Sequence, residues 1–208
     1  MGISVNDSRF SELARMIEGW PGLVAGPADG LVRDSLVLLD HLGDARRVVD
    51  VGSGGGLPGL PLKLARPELY VTLIESDQKK AAFLVQASAR LGVEVEVVAR
   101  RAEDAGHDPR FREAFDVAVA RALAAMPALV ELCLPLVRIG GRLLAQKTNP
   151  EEVAAAGRAI DVMGGRLESA QAAPSPARAR GVVIVVSKVR PTPDLYPRRA
   201  GVPARRPL

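Results

Sequence analysis

Asp50-Val51-Gly52-Ser53-Gly54-Gly55-Gly56-Leu57-Pro58-Gly59 closes a short β-branched run, Arg46-Arg47-Val48-Val49-Asp50-Val51, and leads into apolar residues at helical spacing. Strand, glycine turn and helix in that order open an α/β unit. Toward the carboxyl terminus the alternation continues: a helix from Leu57, a strand over 70–75, and a helix over 77–91 halted by Gly92. Buried strands follow over 93–98 and 115–120. The pattern then predicts a helix over 127–137 ended by Gly140-Gly141, a strand over 142–147, and a helix over 150–163 with Asn149 as cap and Pro150 at its start. After Gly164-Gly165 come a weak strand near Leu167 and a strong one over 182–189, with no helix between them. Toward the amino terminus, Phe10, Leu13, Ala14, Ile17 and Trp20 recur at helical spacing, as do Leu31, Val32, Ser35, Leu36, Leu39 and Leu42. The expected fold is α/β and Rossmann-like: a mainly parallel sheet, helices on both faces, an antiparallel last strand, and added amino-terminal helices. Three parts are expected: a helical extension over 1–45, the α/β domain over 46–189, and a Pro/Arg-rich arm over 190–208, whose five prolines predict an extended course.

Two motifs overlap in the glycine segment. From Gly54 it reads G-x-G-x-x-G, the dinucleotide fingerprint; from Asp50 it reads D-x-G-x-G-x-G, the loop of class I methyltransferases. The chemistry of the helix start separates them. A dinucleotide pyrophosphate needs free first-turn amides, and Pro58 and Pro61 remove two donors there. S-adenosylmethionine carries no phosphate. Its amino-acid part asks for backbone groups and an acid such as Asp50, and its sulfonium asks for close approach of bare backbone, as at Gly52, Ser53, Gly54 and Gly56. Glu75 ends the second strand, 23 residues after Gly52, where an acid takes both ribose hydroxyls, with Ser76 beside it. After the third strand, Ala102 and Glu103 fall where backbone or a carboxylate meets an adenine amino group. The fourth strand ends in Ala120-Arg121-Ala122, without the Asn/Asp-Pro-Pro-aromatic loop of amino-group methyltransferases. Arg121 and Lys147, which ends the fifth strand, each have two readings, substrate contact or salt-bridged arrangement.

Composition narrows the class. With 208 residues, 48% hydrophobic and 25% charged, the chain has the stock of a globular domain and no apolar run long enough to span a bilayer. The single cysteine, Cys133, closes no intrachain bridge, and the first residues lack a secretory leader and a myristoylation pattern, so a cytoplasmic protein is expected. His41 and His107 have no metal-ligand spacing, and neither a metal site nor a nucleophilic triad is expected. Residues 1–45 hold three arginines and seven acids, whereas 190–208 hold five arginines and one acid. An acidic head and a basic tail suggest a polyanionic partner on the tail side, although charge alone is read first as a solvated basic surface. Aromatics at 3% exclude extensive base stacking.

Val49-Asp50-Val51-Gly52-Ser53-Gly54-Gly55-Gly56-Leu57-Pro58-Gly59-Leu60-Pro61 stands at the head of a series of motifs. Leu73-Ile74-Glu75-Ser76, Lys79-Lys80-Ala81-Ala82-Phe83-Leu84, Arg101-Ala102-Glu103, Ala120-Arg121-Ala122 and Leu144-Ala145-Gln146-Lys147 follow. The tail Tyr196-Pro197-Arg198-Arg199-Ala200-Gly201-Val202-Pro203-Ala204-Arg205-Arg206-Pro207-Leu208 completes it. Together they resemble the RsmG family, the bacterial 16S ribosomal RNA guanine-N7 methyltransferases also called glucose-inhibited division protein B. The resemblance runs from about residue 31 to the end, and Asp34-Ser35-Leu36 is similar to a helix of that family. It departs ahead of that helix, where Leu31 stands in place of the family's usual His and the usual Trp-Asn and Asn-Leu-Thr segments are missing. The resemblance implies S-adenosylmethionine contacts at Gly52, Leu57, Ala102, Glu103 and Arg121. It implies a basic edge facing 16S rRNA or the small ribosomal subunit, made of Lys147, Tyr196, Arg198, Arg199, Arg205 and Arg206. Guanine N7 has no proton to lose, so no catalytic base is expected. Two other readings are a class I methyltransferase with a different substrate and a non-catalytic RNA-binding module.

Overall fold

The structure of the protein is a computed structural model, which describes residues 7–24 and 26–208; the leader and acylation readings of residues 1–6 lie outside them. Seven strands form one sheet: β1 (Arg47–Val51), β2 (Tyr70–Ile74), β3 (Glu96–Val98), β4 (Phe115–Arg121), β5 (Val137–Lys147), β6 (Gly165–Ala172) and β7 (Val182–Lys188). Their order is β3-β2-β1-β4-β5-β7-β6. β1 to β5 pair in parallel, and β7 runs antiparallel to both β5 and β6. This is the mainly parallel, Rossmann-like α/β architecture with an antiparallel last strand expected from the alternation.

Period-2 alternation distributes each strand between two cores. Val49, Val51, Ala118, Ala120, Leu143 and Ala145 pack with α7 (Met126–Cys133) and α8 (Gly157–Val162). Val48, Val117, Val119 and Leu144 pack on the opposite face with α1 (Ser8–Gly19), α4 (Gly59–Ala65) and α5 (Gln78–Leu91). α1 begins at Asp7, whose side chain accepts from Arg9 N; α5 begins at Asp77, which accepts from Lys79 and Lys80, and ends at Gly92 in the left-handed region. Both faces are therefore covered, and the sheet's chemistry is confined to its ends.

Several expected boundaries move. The helix expected over 127–137 stops at Cys133, Leu134–Leu136 form a 3-10 turn, and Val137 already begins β5. Gly140-Gly141 therefore lie inside a strand rather than ending a helix. A Cβ on Gly141 would stand 2.5 Å from Asp116 O, where the β4/β5 register shifts between Phe115 and Val117; glycine here permits close backbone approach. The helix expected from Leu57 starts at Gly59, and the strand expected over 93–98 is only Glu96–Val98. The second amino-terminal helix is broken into α2 (Asp29–Ser35), a 3-10 turn at Leu36–Leu38 and α3 (Leu39–Leu42). The helix expected over 150–163 is a 3-10 segment, Pro150–Ala156, followed by α8.

The tail lies against the body. Residues 190–208 follow an irregular course laid over the body as a strap, with one helical turn at α9 (Val202–Arg205). Arg112 donates to the carbonyls of Thr192 (2.7 Å) and Tyr196 (2.9 Å), and His107 Nε2 lies 2.7 Å from Pro197 O. Pro203 is buried, and Tyr196 and Leu208 pack against the α7 core. Prolines bar this segment from a central strand, yet their carbonyls still accept bonds from the body's side chains.

Candidate functional site

The strand order reverses between β1 and β4, so the crevice outside their carboxyl ends is the natural ligand edge. The glycine segment, Glu75, the Ala102-Glu103 turn, Arg121 and Lys147 all follow or end strands at this edge. A concavity of about 660 Å³ lies at the opposite end, among Arg47, Tyr70, Glu96 and Phe115. It belongs to the amino ends of the strands and holds none of these residues.

The glycine segment keeps most of its amides for itself. Gly52 N and Ser53 N donate to Ile74 O, Gly56 N and Leu57 N donate to Ser53 O, and Gly54 N donates to Glu75 Oε2 at 2.9 Å. At the start of α4, Gly59 N donates to Asp50 Oδ2 at 2.8 Å, Leu60 N to Gly56 O, and Leu62 N to Pro58 O, while Pro61 has no N–H. No first-turn amide is left for a phosphate, which extends the argument from the two prolines. Bare backbone is also a steric requirement. Gly52 has φ +72°, and a Cβ there would stand 2.5 Å from Leu123 Cδ1; at Gly59 it would stand 2.8 Å from Asp50 Oδ2.

Asp50 is fully buried, and its Oδ1 has no partner. Burial pushes its carboxyl up to about 7, against the Gly59 N–H and the charge of Arg121, which favour the anion. Ser53, 2% exposed, donates from Oγ to Asp50 O at 2.9 Å, and Leu57 is buried beside the loop. Glu75 Oε1 accepts from Asp77 N at 2.8 Å, so each of its oxygens holds one backbone N–H and keeps a further lone pair. Ser76 next to it is exposed. Ala102 and Glu103 open α6 (Ala102–Ala105), and Glu103 Oε1 accepts from Gly201 N in the strap at 2.8 Å. An unpartnered buried carboxylate oxygen beside side-chain-free backbone, with acids ending β2 and opening α6, fits the amino-acid, ribose and adenine parts of S-adenosylmethionine.

The basic residues are mostly engaged. Arg121 donates from Nη1 to Leu31 O at 2.9 Å and lies 3.7 Å from Asp34 Oδ2; Lys147 Nζ donates to Ala124 O and to Glu152 Oε2, both at 2.7 Å. For both, the structure presents the salt-bridged arrangement. Arg198 makes a fork on the fully buried Glu131, with Nη2 2.6 Å from Oε2. Arg199, Arg205 and Arg206 are exposed and Tyr196 is half-buried.

Sequence reasoning did not single out the densest polar cluster at this edge. Asp34, fully buried in α2, receives Arg178 Nε on both oxygens (3.0 and 2.9 Å) and Ser175 Oγ. Gln146 Nε2 donates to Asp34 O at 2.9 Å, and Arg178 Nη1 donates to Lys147 O. Gln146 Oε1 and Arg178 Nη2 are buried without partners. The signal was available in the closing hairpin: because β7 is antiparallel to β5, the 173–181 connection that precedes it must reach the carboxyl edge. Among the described residues no group of His, Cys, Asp and Glu is arranged to hold a metal. Cys133 is fully buried, and burial pushes its thiol up, away from nucleophilic use.

Residues 29–179 match the family described as GidB, rRNA small subunit methyltransferase G. The chain is 48% identical over 179 residues to the ribosomal RNA small subunit methyltransferase G of Roseiflexus castenholzii, and 45% identical over 183 residues to that of Moorella thermoacetica. These alignments cover 84% and 85% of this chain and 76% of each relative. Among solved structures, the O-methyltransferase TomG from Streptomyces achromogenes in complex with SAM has a TM-score of 0.61 at 20% identity, covering 88% of this chain and 91% of that one. An O-methyltransferase from Bacillus cereus in complex with SAH has a TM-score of 0.64, with the same identity and coverage. The structures share the fold; the sequence relatives share nearly half their residues along most of the chain, and by that measure the chain belongs to the rRNA small subunit methyltransferase G family.

Proposed function

We propose that this protein transfers the methyl group of S-adenosylmethionine to N7 of a guanine in small-subunit (16S) ribosomal RNA, in the cytoplasm where that RNA is found. The observation that carries the cofactor side is the glycine segment with its engaged amides and the unpartnered Asp50 Oδ1 at its root. When bound, S-adenosylmethionine supplies a methyl group activated on a sulfonium. Asp50 would hold its ammonium, and the backbone of Gly52, Ser53, Gly54 and Gly56 would leave room for the sulfonium. Glu75 would take the ribose hydroxyls with Leu57 and Ser76 beside it, Ala102 and Glu103 would meet the adenine, and Arg121 would close the edge. Each carboxylate oxygen of Glu75 has a lone pair to offer after its backbone bond, so this role requires no rearrangement of the loop.

Guanine N7 is a lone-pair acceptor without a proton, so the protein need not supply a general base. Its task is to hold the base in line, at about 3 to 3.5 Å from the reacting carbon, and to exclude water. The burial of Cys133 and the use of His107 in anchoring the strap agree with a site that works by position. Exposed Arg199, Arg205 and Arg206 on the strap give RNA phosphates a basic approach, while Lys147 and Arg121, nearer the strand ends, would contact substrate only by exchanging their present partners. Tyr196 and Arg198 hold that strap in place.

The test is methylation of 16S rRNA, free and in 30S particles, taken from cells without this gene, followed by nucleoside mass spectrometry. A single 7-methylguanosine is expected. Bound cofactor with methyl on another base or on protein would replace the guanine reading, and RNA binding without any transfer would make the chain a binding module.

A further inference from the structure

We infer that Gln146 and Arg178 form the reading site for the target base, presenting one acceptor and one donor that match the O6 and N1–H edge of guanine. The inference deepens the guanine-N7 assignment and rests on it. Two side-chain atoms in this cluster, Gln146 Oε1 and Arg178 Nη2, are buried and have no hydrogen-bond partner. Each such atom is a standing penalty unless a ligand satisfies it. They belong to one constellation, since Gln146 Nε2 donates to Asp34 O and Arg178 Nε donates to the Asp34 carboxylate. Arg178 Nη1, moreover, donates to the carbonyl of Lys147, the residue after Gln146.

The polarity of both atoms is fixed. Asp34 O can only accept, so the Gln146 amide must turn its nitrogen to it and its oxygen away. A guanidinium only donates. The free pair is therefore one acceptor and one donor. Guanine offers the complement on adjacent atoms, an O6 acceptor for Arg178 and an N1–H donor for Gln146, which places N7 on the Arg178 side; adenine satisfies the same pair only when turned over, N6 to Gln146 and N1 to Arg178, which carries its N7 to the other side. A ligand seated by this edge leaves guanine N7 unprotonated and unbonded, as methylation there requires.

Asp34 also receives Ser175 Oγ, and Ala177 lies against Gly30, where an added Cβ would stand 3.5 Å from its Cβ, so the 173–181 connection is held against α2 just ahead of Arg178. A concavity of about 570 Å³ lined by Thr148, Asn149, Pro150, Arg180 and Gly181 opens beside the connection and gives an unstacked nucleotide its approach. Arg178 itself is 11% exposed, so seating the base requires the connection to part from α2 around Arg178.

The test uses the full chain and small-subunit RNA carrying guanosine, inosine or 2-aminopurine at the target position, all of which keep N7. Inosine keeps O6 and N1–H; 2-aminopurine has neither. The preference for inosine over 2-aminopurine, measured as a ratio of kcat/KM, is compared between wild type and the Arg178→Lys and Gln146→Met variants, so that intrinsic N7 reactivity cancels. Each variant is expected to reduce that preference roughly ten- to a hundredfold. Binding of S-adenosylhomocysteine, measured by calorimetry, is expected to stay within about twofold. An unchanged preference in Arg178→Lys, or its loss together with cofactor binding, would overturn the inference; wild type failing to methylate the guanosine RNA would instead overturn the function it rests on. If Gln146→Met does not fold, Gln146→Asn is used, which keeps the amide but shortens its reach.

Discussion

The two halves of the carboxyl edge are built differently. Around β1 and β2 the site is made of main chain, with glycine amides bonded to main-chain carbonyls and two carboxylates. Around β4 and β5 it is made of long side chains, Arg121, Gln146, Lys147 and Arg178, gathered on and about one buried aspartate. A main-chain site recognises a ligand common to many enzymes. A side-chain site can be altered one residue at a time and suits the substrate, which differs among them.

The difference can be broken by removing the centre of each half. Asp34→Ala leaves Arg178 buried without its counter-ion, and a loss of about 3–5 kcal/mol is expected in denaturant unfolding. Cofactor affinity of the folded fraction should hold within a few-fold; its collapse would show that the halves are one unit. Gly54→Asp does the converse. Aspartate tolerates the positive φ of this position, but its carboxylate lies beside Glu75, to which Gly54 N is bonded. S-adenosylhomocysteine binding should weaken by several kcal/mol by calorimetry, with the melting temperature little changed.

Asp50 sharpens the comparison through pH. Its folded value near 7 stands above its ordinary 3.8, so between these values the native state binds more protons than the unfolded chain. Its contribution therefore makes the unliganded protein less stable as pH rises from about 4 to about 7. A ligand ammonium needs the anion, so affinity should rise up to about tenfold per pH unit below 7 and then level off. Asp50→Asn should flatten that rise; an unaltered profile would remove Asp50 from the cofactor site.

The smallest expected effects concern the strap. Replacing exposed Arg199, Arg205 and Arg206 should lower the salt slope of RNA binding by about 0.7 for each phosphate that is no longer neutralised, without changing the melting temperature. Arg198→Ala should do the reverse, lowering stability because Glu131 is left buried and unpaired. Equal slopes for wild type and the triple variant would make the whole strap structural.

What could be read in advance follows the same division. The strands, turn and helix around β1 and β2 were legible because a glycine turn, a capping Asp77 and a stopping Gly92 are local: each residue's role is set within a few neighbours. The ion pairs of Arg121 and Lys147 were open because partners 87 and 5 residues away in sequence offer no local sign. Arg178 was passed over because its partner, Asp34, lies 144 residues earlier. The docking of the tail was open for a different reason. Proline content reports what a backbone cannot pair with, while Arg112, His107 and Glu131 decide where it lies, and none of them stands near it in sequence.

The engaged amides at the start of α4 have a consequence for selectivity in a crowded cell. Most cellular adenosine is carried on phosphorylated molecules, which would compete for any pocket that welcomed adenine and ribose alone. A helix start whose N–H groups are all bonded within the protein gives a phosphate nothing to replace its lost water, so those competitors meet an energetic barrier at the very point where a P-loop would reward them. Discrimination against the abundant ligands is thereby written into the backbone, ahead of any contact that favours the scarce one.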